Sequence, residues 1–251
     1  MTMRAMILAA GRGERMRPLT DTCPKPLLPV GGKPLIVWQI ERMVAAGFDE
    51  IVINVSYLAD RITDALGDGS AFGARISYSP EREPLESAGG IAQALPLLGD
   101  APVLVAAADV YAELDYARLV RARARLLESI AEGGPGVHLV LVPTHDFRPQ
   151  GDYSLSLPEG RLPYGRVGTG GSPRHTWSGI GLFDIRLLRE IPFDQKIPLL
   201  PFFADWMRRG LVVGELFGGL WDNLGTPEQL RRLDTDLADA AHGHPGRGNR
   251  S

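Results

Sequence analysis

Short, nearly unbroken apolar runs recur along this chain. Between them lie longer stretches whose apolar residues return every three or four positions. Ala5 to Ala10, Glu50 to Val55, Arg75 to Ser79, Pro102 to Ala108 and His138 to Val142 have the length and composition of buried strands. The intervening stretches predict helices. Pro34 to Ala46 carries Leu35, Trp38, Met43 and Val44 on one face and stops at Gly47. Ala59 to Leu66 ends at Gly67, Ile91 to Leu98 follows a glycine pair, and Asp115 caps Tyr116 to Ala131. Strand and helix alternating on this scale predict an α/β fold with a largely parallel sheet and helices on both faces.

The pattern changes between Arg148 and Arg174. Glycine, proline and polar residues dominate there, and Tyr153 to Leu157 alternates with period two, which predicts a small β-hairpin excursion, with Gly165 to Pro173 mobile. His175 to Phe183 reads as a strand, Pro198 to Gly210 as an amphipathic helix and Leu211 to Leu216 as a strand. Thr226, Pro227 and Glu228 have the order of an N-cap, a first helical position and an acidic first turn, opening a last helix that runs to about Ala241. The expected organisation is one domain over about 1–240, with halves near 1–110 and 111–240. The polar, glycine-rich residues 241–251 are expected to be disordered.

The chain has 251 residues, enough for a sizeable core, and its 44% hydrophobic and 23% charged content is ordinary for a soluble protein. A net charge of -3 gives no general attraction to nucleic acid or to an anionic membrane. The arginines of the helix after Asp115 (Arg118, Arg121, Arg123, Arg125) therefore read as a solvated face. His138 and His145 read as structural, without evident partners. No apolar run approaches a membrane span, and Cys23 is the single cysteine, so no internal disulfide forms and a cytoplasmic setting is expected.

The candidate chemistry sits in the first loop. After the first strand come Gly11 and Gly13, where the backbone bends freely and approaches a ligand closely, then Arg12, Arg15, Arg17 and Lys25 among four prolines. Amide donors beside fixed cations suit a polyphosphate. Met16 stands where a dinucleotide fingerprint needs its third glycine, and no Gly-Lys-Ser/Thr follows, so two familiar phosphate loops are excluded. Asp109 stands at the carboxyl end of a strand, where open α/β sheets bind ligands, and a carboxylate suits Mg²⁺.

Leu8-Ala9-Ala10-Gly11, Gly13-Glu14-Arg15-Met16, Pro18-Leu19-Thr20 and Pro24-Lys25-Pro26 together resemble the nucleotide-binding motif of the sugar-1-phosphate nucleotidylyltransferases. Leu85 to Ile91 resembles that family's second nucleotide motif, and Asp109 its metal-binding aspartate, although Ala107 replaces the usual asparagine. Gly151-Asp152-Tyr153 and Ser178-Gly179-Ile180 resemble its sugar-site elements. Trp221 to Glu228 resembles its W-x-D-[VI]-G-T-P-E run, with Asn223 at the aspartate position and Asp222 one residue earlier.

The resemblance implies a Rossmann-like nucleotide-diphospho-sugar transferase fold. It also implies transfer of a nucleotidyl group from a nucleoside triphosphate to a sugar 1-phosphate, with release of pyrophosphate. It assigns catalysis to Arg15, Lys25 and Asp109, and nucleotide binding to Leu8, Ala10, Gly11, Gly13, Glu86, Gly89 and Gly90. Sugar binding falls to Asp152, Ser178 and Gly179, and Mg²⁺ to Asp109 and Asn223, with Asp222 the alternative. Within the family the wording is nearest to members that use UTP and N-acetylmuramate 1-phosphate. Guanylyl transfer to mannose or heptose phosphates and thymidylyl transfer to glucose 1-phosphate are the alternatives, with a non-catalytic nucleotide-sugar-binding regulator as a reading of another class.

Overall fold

The computed structural model describes residues 2–145, 148–157 and 164–241. The chain begins with β1 (Arg4–Leu8), three short 3-10 turns, and the small ribbon β2 (Pro29–Val30) and β3 (Lys33–Pro34). Then follow α1 (Leu35–Ala45), β4 (Glu50–Val55), α2 (Ala59–Leu66), β5 (Arg75–Pro80), α3 (Glu86–Leu98) and β6 (Val103–Ala107). The second half contains β7 (Val110–Ala112), α4 (Ala117–Ala131), β8 (Val137–Val142), β9 (Tyr153–Ser156), β10 (Tyr164–Gly168) and β11 (Arg174–Phe183). It closes with α5 (Ile185–Leu188), α6 (Leu200–Arg208), β12 (Val212–Leu216), β13 (Trp221–Asn223) and α7 (Pro227–Ala241).

Nine strands form one mixed sheet in the order β5-β4-β1-β6-β11-β8-β12-β10-β9. β10 and β11 run against the other strands. Alternate residues of β1 serve opposite faces, as strand geometry requires. Ala5 and Ile7 meet α1, α2 and α4 through Ile36, Ile40, Ile62 and Leu119. Met6 meets α3, α5 and α6 through Ile91, Leu188, Phe203 and Trp206. A third, smaller cluster joins Met16 and Leu28 of the first loop to Leu224, Leu230 and Leu233 at the chain's end. No helix among the described residues is long and apolar enough to cross a membrane.

Four expectations need correction. The glycine-rich stretch after residue 148 does contain a hairpin, but it is not an excursion. β10 pairs with β12 at the sheet edge, and β9 pairs with both β10 and β11, so Gly165 to Gly168 are ladder residues and not a mobile loop. The helix after the second glycine motif begins at Glu86, five residues earlier than the glycine pair suggested. The arginine-rich helix is not uniformly solvated either: Arg118 ion-pairs with Glu215, which has no solvent exposure, and Arg123 is buried and donates to the Pro102 carbonyl at 3.0 Å. His138 has a partner in Glu215, 3.3 Å away. Burial alone would raise the Glu215 carboxyl, but the His138 hydrogen bond and charge and the Arg118 charge outweigh it and hold the group below its ordinary value. Residues 242–251, expected as a disordered tail, lie outside the described residues.

Candidate active site

β1, β4 and β6 run parallel, so their carboxyl ends open on one side of the sheet, where ligands bind in such folds. There the chain forms a cleft of about 250 Å³ lined by Leu8, Ala9, Gly11, Gly13, Lys25, Pro26, Ala108 and Asp109. Gly11 is open to this space. Gly13 has a φ of 69°, a left-handed conformation that favours glycine, and a Cβ there would lie 3.1 Å from Lys25 Cβ and Thr20 Cγ2. Its carbonyl accepts from the Met16 amide at 2.9 Å and the Thr20 hydroxyl at 3.0 Å. Tyr57 donates to the Thr20 carbonyl and ties the loop to the main body.

The loop's cations divide sharply. Arg12 pairs with Glu14 and lies over the Tyr57 ring, and Arg17 pairs with Asp21. Arg15 has no ion-pair partner among the described residues. It lies against Gly225, where a Cβ would come within 3.1 Å of its Nη2. Lys25, its side chain only 11% exposed, places Nζ 2.6 Å from Asp109 Oδ2. The structure therefore joins the two candidates that stand 84 residues apart.

Asn223 comes to the same strand end. β13 pairs with β7 so that Asn223 opposes Val110, the residue after Asp109, and the Leu224 amide donates to the Asp109 carbonyl at 2.9 Å. Asn223 Oδ1 is buried and has no hydrogen-bond partner among the described residues. A buried orphan oxygen needs a counterpart, and beside a carboxylate it suits a hard cation. Asp222 opposes Tyr111 on the other side of this ribbon; its Oδ2 accepts from Arg232, while its Oδ1 is likewise buried without a hydrogen-bond partner among the described residues. Asn223, paired with Val110, stands nearer to Asp109 in the register than Asp222 does. The loop after it is fixed by a capping box: Thr226 Oγ1 accepts from Gln229 N at 3.4 Å, while Gln229 Oε1 takes the Gly225 and Thr226 amides.

Along the neighbouring wall, Gly89 and Gly90 lie inside α3. The Ala88 and Gly89 amides both donate to the Ile197 carbonyl, at 3.0 and 3.2 Å, so they are not free donors as the sequence suggested. The amides of Glu86 and Ser87, first in the helix, have no acceptor among the described residues. Gly90 is needed for close approach: a Cβ there would lie 2.5 Å from Glu81 Oε1 and 2.6 Å from Asn54 Nδ2. Asn54 and Glu81 escaped the sequence reading, although a polar Asn54 inside the EIVINV run was a visible signal. Asn54 Oδ1 accepts from the Ala9 amide, its Nδ2 donates to Glu81, and Glu81 Oε2 accepts from the Leu85 amide. Burial pushes the Glu81 carboxyl up, against the lowering effect of the Leu85 and Asn54 bonds.

Glu86 is exposed with a φ of 63°, in the left-handed region. Such a conformation costs a non-glycine residue about 1–3 kcal/mol. Glu86→Gly keeps the amide and relieves that strain. Strain relief outweighs the extra freedom glycine has in the unfolded chain, about 0.5–1 kcal/mol, so a net rise in stability of about 1 kcal/mol is expected, read as a higher melting temperature, with UTP affinity unchanged in a binding titration.

The sugar-site candidates sit further along β11. Asp152 Oδ2 accepts from the Trp177 amide at 2.9 Å and Oδ1 from Arg148, so its carboxylate is already engaged in pinning β9 to β11. Ser178 is buried and its Oγ accepts from the Ile180 amide. Gly179 lies in a bulge of β11, packed against Ala107 and Val110. Gly179, next to Ser178, thus backs the turn that carries Asp109.

A mixed α/β sheet whose strand ends hold a glycine loop, a lysine–aspartate pair and an orphan amide oxygen defines a nucleotide-handling transferase. The chain belongs to the nucleotidyl transferase family, whose model matches residues 4–146. It is 47% identical over 91% of its length to an N-acetylmuramate alpha-1-phosphate uridylyltransferase of Neisseria meningitidis serogroup B, covering 96% of that protein. A Caulobacter vibrioides protein of the same name is 35% identical, with 94% of this chain and 97% of that one aligned. Among solved structures, a Bacillus anthracis protein in complex with a sucrose superposes with a TM-score of 0.77 at 21% identity, covering 94% of this chain and 96% of that one. At that identity the likeness speaks for the fold alone.

Proposed function

We propose that this chain joins UTP to N-acetylmuramate 1-phosphate, giving UDP-N-acetylmuramate and pyrophosphate, with Mg²⁺ held by Asp109 and Asn223. The observation that carries the reaction class is the Lys25–Asp109 pair on the floor of the glycine-loop cleft. The substrate pair is supported by the identity to the two uridylyltransferases over nearly their whole length.

The chemistry asks for little proton handling. An oxygen of the sugar phosphate, already an anion, attacks the α-phosphorus of UTP. A new P–O bond forms as the bond to the β-phosphate bridging oxygen breaks, and pyrophosphate carries away the electron pair. The obstacle is the meeting of two anions and the charge that builds on the α-phosphate, so positioning and cationic stabilisation carry the catalysis. The Gly11 to Gly13 backbone and Arg15 hold the leaving phosphates. Lys25 lies between Asp109 and the transferring phosphate. The Glu86 and Ser87 amides offer donors to the uracil carbonyls, and Gly90 lets Asn54 and Glu81 pack closely against the same helix. Mg²⁺, when bound, neutralises phosphate charge and polarises the phosphoryl oxygens.

Pyrophosphate release with UTP, Mg²⁺ and N-acetylmuramate 1-phosphate tests the reading. Parallel assays pair GTP with mannose or heptose 1-phosphates and dTTP with glucose 1-phosphate. Release confined to the UTP–muramate pair is the expected result. Release with another pair would keep the reaction and overturn the substrate, and silence in every assay despite UTP binding would make the chain a nucleotide-sugar sensor.

A further inference from the structure

The turn from Ala107 to Val110 is held from several directions. The Ala108 amide donates to the Leu8 carbonyl at 3.0 Å, and Leu224 N holds the Asp109 carbonyl at 2.9 Å. Behind it, a Cβ on Gly179 would lie 3.2 Å from Ala107 Cβ and 3.1 Å from Val110 Cγ2, so β11 closes that side without slack.

From α1 comes Gln39, which is 2% exposed and flanked in the helix by the core residues Ile36 and Ile40. Its Nε2 donates to the Val110 carbonyl at 2.8 Å, with the Ala107 carbonyl at the outer limit of bonding, 3.5 Å away. Its Oε1 accepts from the hydroxyl of Tyr116, which is itself buried just before α4. Because the tyrosine hydroxyl occupies the amide oxygen, the amide NH₂ must face the turn. The two carbonyls it addresses flank Asp109.

A buried amide on an apolar helix face is costly unless bonded, and a leucine or methionine would fill the same volume. Of the bonds Gln39 makes, one ties α1 to Tyr116 at the start of α4. Those of its amide NH₂ reach across to one turn of the site.

We infer that Gln39, oriented by Tyr116, is a positioning residue that fixes the Asp109 carboxylate for Lys25 and for the divalent cation. This inference rests on the reading of Asp109 as a cation ligand. Residues that orient a ligand from behind typically change metal affinity or activity by about 10–100-fold when removed.

The test uses the full chain with UTP bound and Mn²⁺ as the probe, free Mn²⁺ being followed by its paramagnetic resonance. Gln39→Met is expected to weaken Mn²⁺ binding by about 10–100-fold. Its kcat should fall while the KM for UTP stays within about threefold, the split expected when ground-state nucleotide contacts are intact. Tyr116→Phe keeps the amide but frees its orientation, so its Mn²⁺ affinity should fall between those of the parent and Gln39→Met. The double variant removes both polar partners at once. Its melting temperature should recover relative to Gln39→Met, since no hydroxyl is left unpaired, while Mn²⁺ affinity stays weak.

Mn²⁺ affinity unchanged in Gln39→Met, or recovering together with melting temperature in the double variant, would reduce Gln39 to a packing residue and overturn the inference. If Gln39→Met does not fold, unchanged Mn²⁺ affinity in Tyr116→Phe would overturn it equally. Failure of the unaltered chain to bind Mn²⁺ with UTP, or to release pyrophosphate, would instead remove the reading of the site on which the inference stands.

Discussion

Lys25→Met is expected to lower kcat by about 10²–10³-fold, the usual cost of losing one fixed charge aimed at a developing one. UTP affinity should change far less. Methionine keeps about the length of the stem and its packing against Gly13, so the substitution removes a charge and little else. The charge is held where it counts: Nζ lies 2.6 Å from Asp109 Oδ2 with 11% of the side chain exposed, at the edge of the glycine-loop cleft. Loss of Lys25 also strips Asp109 of its partner, so Lys25→Met, Asp109→Asn and the double variant should be strongly non-additive, as for groups that act as a unit. Single-turnover rates set against equilibrium UTP binding check this. Equal losses in rate and affinity would place Lys25 on the nucleotide ground state and remove it from the transferring phosphate.

Gly90→Ala is expected to cost about 1–3 kcal/mol of stability, in the range of overpacking a tight interior, and to weaken UTP binding as well. The added methyl would sit 2.5 Å from Glu81 Oε1 and 2.6 Å from Asn54 Nδ2, distances no real Cβ tolerates. These two side chains are not free to swing away. Asn54 holds the Ala9 amide at 2.8 Å, and Glu81 holds the Leu85 amide at 2.8 Å, so each is bonded to one of the two nucleotide motifs. Relieving the clash separates the glycine loop from the start of α3, so stability and UTP affinity should fall together. Thermal melting, at about 2–4 °C per kcal/mol for a chain of this size, and UTP titration read the two effects. A Gly90→Ala chain that melts and binds UTP like the parent would make the glycine pair simple helix punctuation.

The strands were legible to within a residue or two, because parallel strands buried on both faces read as continuous apolar runs. The two nucleotide motifs were legible as ordered residue types. Their physical working was not. Gly89 and Gly90 read as a helix entrance because glycine favours helix ends. The helix instead starts earlier, since the Ile197 carbonyl, more than a hundred residues on, satisfies amides that would otherwise stay open. β10 was hidden for a similar reason. Gly165 has poor strand propensity, yet β12 offers it a ladder partner, and tertiary pairing overrides propensity. The pairing of Arg118 with Glu215, and of Gln39 with the Asp109 turn, lay beyond any local pattern. A buried glutamine looks no different in sequence from an exposed one. The choice between Asn223 and Asp222 could be posed from sequence, but the register of β13 against β7, which sets Asn223 opposite Val110 and Asp222 opposite Tyr111, could not be read there.

The cluster that joins Met16 and Leu28 to Leu224, Leu230 and Leu233 sets the order in which a growing chain acquires its parts. The glycine loop and Lys25 emerge first from the ribosome, together with the strands that carry them. Gly225, on which Arg15 rests, and Asn223 emerge last, and β11 must slot between β6 and β8 before the Asp109 turn has its backing. A nascent chain therefore carries the glycine loop before the residues against which that loop packs have been made. A protease cut just ahead of Trp221 would sever β13, and with it Asn223 and Gly225, from the main body's chain while leaving every residue of the glycine loop in place.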